Sequence, residues 1–149
     1  MSADTPSAPI FYGSYRHAFD GKNRITIPSR WRRKEADEFF LVPSRTGTFL
    51  RVMPPAKFQA AAEEAKARIA PKDLSVFLRH FYSSSQHVEL DKQGRLLMPE
   101  EFCESLKLRG EIMLIGTLDS FEMWSREAWN ATQHNEAEIY NRVSEEVGL

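Results

Sequence analysis

Apolar and polar residues alternate in "YRHAFD", where Tyr15, His17 and Phe19 interleave with Arg16, Ala18 and Asp20. That period of two predicts a strand. "RITI" repeats it, with Ile25 and Ile27 set against Arg24 and Thr26. The three residues between, "GKN", have the length and composition of a hairpin link. Pro28 then opens "SRWRRKEA", predicted as a short basic helix, because proline suits a first helical turn. "EFFLV" and "TFLRVM" read as strands joined by the turn "SRTG". From Pro54-Pro55 the period becomes helical, with Phe58, Ala62, Ala65 and Ile69 on one stripe. Pro71 breaks that helix. Leu74, Phe77, Leu78 and Phe81 give the next one a stripe expected to lie in the core. A second pass of strands and turns follows, with "EEFCESL" as a short helix, then "EIMLIG" and "SFEMW" around the turn at Thr117–Asp119. The tail from Ser125 is a further helix. Ile139, Val143 and Val147 recur along it every four residues, so it needs a surface to pack on, and a neighbouring subunit could supply one.

The second pass copies the first. "FDGKNRITIP" (Phe19–Pro28) and "LDKQGRLLMP" (Leu90–Pro99) share Asp, Arg and Pro at a spacing of 71 residues. At the same spacing Ile25 meets Leu96, Ile27 meets Met98, Trp31 meets Phe102, Leu50 meets Phe121 and Val52 meets Met123, with no gap needed. Self-similarity of this kind indicates an internal duplication. Each half alone would bury too little surface to be stable, so the copies are expected to share one core. Asn23 and Gly94 hold equivalent turn positions, and these two residue types best accept a left-handed backbone. The expected division is a disordered segment at 1–12, a first repeat at 14–56, a helical connection at 57–84, a second repeat at 85–128 and a C-terminal helix at 129–149.

Composition adds little until it is localised. The chain has 149 residues, 42% hydrophobic and 28% charged, an ordinary globular balance for one domain. Its single cysteine, Cys103, cannot form an internal disulfide and suits a reducing compartment. "MSADTPSAPI" lacks the basic flank and apolar stretch of a signal peptide, and "IMLI" is far too short to span a membrane. A cytoplasmic protein is therefore expected. The net charge is −1, yet Arg16–Lys34 carries seven bases against Asp20, a local charge of +6. The matching window His87–Ser105 carries two bases against five acids, a local charge of −3. One apolar skeleton thus bears opposite electrostatics in its two copies.

This asymmetry points to nucleic acid. Asp20 and Arg24 flank the first turn, and Asp91 and Arg95 the second, so each pair can form an ion pair that fixes its turn. In the basic copy Arg24 is also expected to point outward at a ligand; in the acidic copy Arg95 is expected to be mainly structural. Arg16, Lys22, Arg24, Arg30, Arg32 and Arg33 are the candidate DNA contacts, with Asp20, Asn23, Asp91, Gly94 and Arg95 as turn-fixing residues. A basic two-stranded ribbon can enter the major groove and offer arginines to phosphates and guanine edges. Enzyme readings find little support. The four histidines show no metal-ligand spacing with Cys103 or each other, and no phosphate-binding glycine loop is present. The serines of "HFYSSSQH" lack a nucleophile-elbow setting and read better as a helix end. No catalytic residue, metal, cofactor or small-molecule substrate is expected.

The order strand–turn–strand–short helix–strand–strand, twice over, with Asp-x-x-x-Arg at each first turn, a following proline, "FEMW" and "VFLRHFYSSSQHVELDKQGR", resembles the MraZ family. The resemblance runs from Phe11 to about Trp129. It implies an α+β fold: two tandem SpoVT/AbrB-like swapped-hairpin β units forming a pseudo-dimeric barrel, with added helices. It implies a bacterial transcriptional regulator at the promoter of the division and cell-wall gene cluster, nucleoid-associated, binding short tandem repeats in double-stranded DNA. It further implies a ring-shaped homo-oligomer, in which several weak sites gain by effective concentration. An antitoxin-like partner-binding protein and a structural ring protein without specific DNA recognition are the alternatives.

Overall fold

A computed structural model describes residues 10–32 and 37–149. Eight strands and four helices follow one another: β1 (Ser14–Ala18), β2 (Arg24–Thr26), β3 (Glu38–Pro43), β4 (Leu50–Met53), α1 (Pro55–Arg68), α2 (Pro71–Ser84), β5 (Gln86–Glu89), β6 (Arg95–Leu97), α3 (Glu100–Ser105), β7 (Glu111–Gly116), β8 (Phe121–Ser125) and α4 (Arg126–Glu146). The class is α+β, with every strand pair antiparallel. Proline stands at the start of α1 and α2 and just before α3, where a missing N–H costs nothing. Ser125 caps α4 by accepting a hydrogen bond from the Ala128 N–H at 3.2 Å. The predicted basic helix after Pro28 is only a 3-10 turn at Ser29–Trp31, followed by extended backbone at Arg32. Residues 33–36 lie outside the described residues.

The two copies exchange strands. β1 of the first copy pairs with β7 of the second, and β5 of the second pairs with β3 of the first. The result is a six-stranded sheet, β1-β7-β8-β4-β3-β5, and a separate ribbon, β2-β6. The expected hairpins survive only at their turns: beyond them, the two strands of each pair leave for different sheets. The described strands form an open sheet and a ribbon, and no closed barrel appears among them. Residues 71 apart face each other at two places, Ile25 opposite Leu96 in the ribbon and Arg51 opposite Glu122 between β4 and β8. Both pairs therefore lie on a pseudo-twofold axis. The gap-free alignment needs one correction. "EFFLVP" of β3 matches "EIMLIG" of β7 at a spacing of 73, because the second copy has two more residues before β7 and two fewer in the turn after it.

Trp31, fully buried, is the hub of the core. Phe11, Tyr15 and Phe121 surround it with ring centroids at 5.7, 5.1 and 4.9 Å. Its indole N–H donates to the Tyr12 carbonyl at 3.1 Å, so the one polar atom of this large ring is satisfied. Phe11 is only 3% exposed and bridges to Leu118. The ordered fold therefore reaches back into the segment expected to be disordered; residues 1–9 lie outside the described residues. A second correction concerns α2. None of its residues is buried; Phe77 is 40% exposed, and Leu74, Leu78 and Phe81 are half-buried. Instead of filling the core, the stripe continues a ladder of stacked rings, Phe40–Phe58–Phe81–Phe77, that leads outward from the sheet.

Phe11→Ala should destabilise the chain by about 3–5 kcal/mol, the usual cost of emptying an aromatic site in a core. Urea unfolding followed by tryptophan fluorescence measures this. A loss below about 1 kcal/mol would show that Phe11 is not part of the cooperative core.

Candidate nucleic-acid interface

The ribbon is the smallest element with two distinct faces. Ile25 and Leu96 point inward and are fully buried. Alternation then forces Arg24 and Thr26 of β2, and Arg95 and Leu97 of β6, onto the outer face. In register Arg24 lies opposite Leu97 and Thr26 opposite Arg95. The ribbon extends at both ends through Ile27 N–H to Gly94 carbonyl and Met98 N–H to Asn23 carbonyl, each 2.9 Å.

Each turn is tied by one aspartate. Asp20 Oδ1 accepts from the backbone N–H of Lys22 and of Arg24, both at 2.9 Å, while Oδ2 accepts from Arg24 Nε at 2.8 Å. Asp91 does the same for Gln93 and Arg95, with Nε of Arg95 at 2.7 Å. A spacing of four places the carboxylate where it bridges the turn and orients the guanidinium together. The backbone N–H of each arginine is the main cause that holds these carboxyl groups below their ordinary range; the Lys22 N–H comes next for Asp20, and the Arg95 guanidinium comes next for Asp91. Among the described residues Arg24 uses only Nε, which leaves both Nη groups as donors toward solvent. Arg95 also donates from Nη2 to Gln93 Oε1 at 3.3 Å.

The turn slot is left-handed in both copies, with Asn23 at φ 63° and Gly94 at φ 77°. The residues differ because their neighbours do. Asn23 Nδ2 donates to the Met98 carbonyl at 2.8 Å and lies beside small, buried Cys103. The counterpart of Cys103, 71 positions earlier, is Arg32. Its guanidinium covers the second turn, so a Cβ on Gly94 would lie 2.0 Å from Nη1. Arg32 Nη1 donates to the Gln93 carbonyl at 3.3 Å, and its Nε is buried without a partner. Asn23 with Cys103 at the first turn thus answers Gly94 with Arg32 at the second, each pair drawn from both copies.

The other candidates are scattered. Lys22 sits exposed at the tip of the first turn. Arg30 is exposed, 6.0 Å from the centre of the Tyr12 ring. Arg16 lies on β1 in the other sheet, 3.8 Å from Glu111, which Arg126 also contacts. Arg33 lies outside the described residues. The sequence reading passed over Leu97, 60% exposed on the outer face opposite Arg24. Its signal was the doublet "LL" where the first copy has "IT". The reading also passed over Glu38, His87 and Glu89, whose ligand atoms lie within 4.8 Å of one another on β3 and β5. Those three could hold a cation but are all exposed. Ser84 and Ser85 donate to the carbonyls of His80 and Phe81, the bonding of a helix end.

Because the folded-state values of Asp20 and Asp91 are depressed, their contribution to stability is complete above the unfolded carboxylate value of about 3.9. It is lost as pH falls through the folded values. Unfolding free energies between pH 6 and 2 should fall more steeply for the native chain than for an Asp20→Asn, Asp91→Asn variant. Parallel curves would show that neither carboxylate is held by its turn.

A family model described as "MraZ protein, putative antitoxin-like" matches residues 81–147. Proteins named "Transcriptional regulator MraZ" are similar along nearly the whole chain. The one from Clostridium acetobutylicum is 36% identical over 140 residues, covering 93% of this chain and 96% of that protein. Those from Clostridium tetani and Carboxydothermus hydrogenoformans are 34% and 33% identical, with the same coverage. With that extent of likeness on both sides of the duplication, the chain belongs to the MraZ family.

Proposed function

We propose that the chain is a DNA-binding transcriptional regulator that presents the outer face of the β2–β6 ribbon to duplex DNA. The observation that carries this is the placement of two arginines, each tied by its own aspartate, on one face of a two-stranded ribbon. A pre-ordered guanidinium loses little entropy on binding, and its remaining donors suit a guanine edge or a phosphate. The name carried by the relatives, transcriptional regulator, supports the same reading. Arg24 is the primary base reader, because both its Nη groups are available and Lys22 adds charge beside it. Arg95, with one Nη group already engaged and acids around it, contributes less. Arg30 supplies sequence-independent grip. Arg32, also a candidate DNA contact, instead supports the second turn, since its guanidinium lies over it.

Arg24→Ala should cost roughly 1–3 kcal/mol on the cognate duplex and relax preference at one base position. Arg30→Ala should weaken cognate and scrambled duplexes alike and reduce the slope of log affinity against log salt by about 0.9. Titrations of both variants at several salt concentrations separate these effects. An Arg24→Ala variant that keeps both affinity and preference would end the ribbon reading.

The same proposal includes self-assembly. Val76 and Phe77 on α2, Ile139 and Val143 on α4, and Val147 just beyond its end leave apolar side chains exposed, with Val147 at 67%. Neighbouring copies cover these stripes, in the ring that the family resemblance implies, and several ribbons then engage tandem repeats in the division and cell-wall promoter at once. Removing Ile139–Leu149 should lower the mass found by light scattering. An unchanged mass would place the contact elsewhere.

A further inference from the structure

Leu97 is the one large apolar side chain on a face otherwise made of Arg24, Thr26 and Arg95. It is not left over from packing, since its neighbours Leu96 and Met98 already fill the core. Its counterpart in the first copy is Thr26, and each of the two lies directly across the ribbon from the other copy's arginine. Each arginine therefore has a methyl-bearing side chain beside it, and opposite Arg24 that side chain is the longer leucine. A water-exposed leucine is unfavourable until something apolar covers it. On a surface flanked by oriented guanidinium groups the cover must tolerate positive charge. The major groove offers that combination: purine acceptor atoms for arginine, and the thymine 5-methyl as its apolar group.

Resting on the reading that the ribbon faces duplex DNA, we infer that Leu97 is a specificity-determining residue that contacts a thymine methyl next to the base read by Arg24. Thr26, shorter and partly polar, makes the weaker equivalent contact beside Arg95. The pairing explains why the two copies are not interchangeable on the outer face even though their turns are built alike. It also gives the ribbon a direction: the strongest methyl contact lies on the Arg24 side of the pseudo-twofold axis.

The test starts by selecting duplexes from a random library with the full-length chain. Each thymine of the selected site is then replaced singly by deoxyuridine, which removes the methyl and keeps the base-pairing edge. For the native chain, one position should lose roughly 3- to 10-fold in affinity, the scale of one buried methyl contact. Leu97→Ser should bind the thymine duplex with that same loss and show no further loss on deoxyuridine, while Leu97→Thr, copying the first repeat, should lose only part of that affinity and keep a reduced deoxyuridine effect. Because the position is exposed, both variants should keep the native circular dichroism spectrum and thermal midpoint. Specific binding that ignores deoxyuridine at every position, or losses from Leu97→Ser and deoxyuridine that simply multiply, would overturn the inference and leave the ribbon reading intact. A fall in oligomer mass for Leu97→Ser without any deoxyuridine effect would also overturn it, by giving Leu97 to a second copy of the chain. Failure to enrich any duplex would defeat the DNA reading itself, and the methyl contact with it.

Discussion

The structure depends on the contact between Ile25 and Leu96. These two side chains come from opposite copies, meet on the pseudo-twofold axis and are both fully buried. Neither three-residue strand could persist alone, since an isolated ribbon of that length has too few bonds and no covered face. Pairing β2 with β6 solves this and obliges the rest of each copy to reach across. β1 then docks on β7 and β5 on β3, so neither repeat completes its sheet without the other. The duplication is a folding requirement here: the shared core buries what each half would leave in water.

Alternation along the ribbon links this core to its outer face. With Ile25 and Leu96 inward, the residues on either side must point outward, and a shift of one position would reverse every side chain. The aspartates then do two jobs with one carboxylate, closing the turn and aiming the arginine. The surface charge of this element comes from groups that also hold the backbone, which accounts for both copies keeping Asp and Arg despite opposite local charge. The support beneath the turns is less alike. Asn23 leans on Cys103, whereas Gly94 makes room for Arg32, a residue that would otherwise count toward a basic patch. On the single chain the apolar stripes of α2 and α4, with Val76, Phe77, Ile139 and Val143, stay exposed.

The sequence by itself determined the repeat, the strand and helix periods, the left-handed slot at Asn23 and Gly94, and the Asp–Arg pairs, because each is a local pattern with a local cause. It also held the family likeness. Only the tertiary structure decided which strands pair, since alternation marks a strand without naming its partner. It likewise decided that β3 and β7 align at 73 rather than 71, because loop residues can be exchanged between the two ends of a strand without disturbing its apolar face. Charge summed along the chain placed Arg16 and Arg32 with Arg24. In space, Glu111 stands beside Arg16 and the second turn lies beneath Arg32. Leu97 was hidden for the same reason: a leucine beside a leucine looks like core until the pleat shows that one must face inward and the other outward.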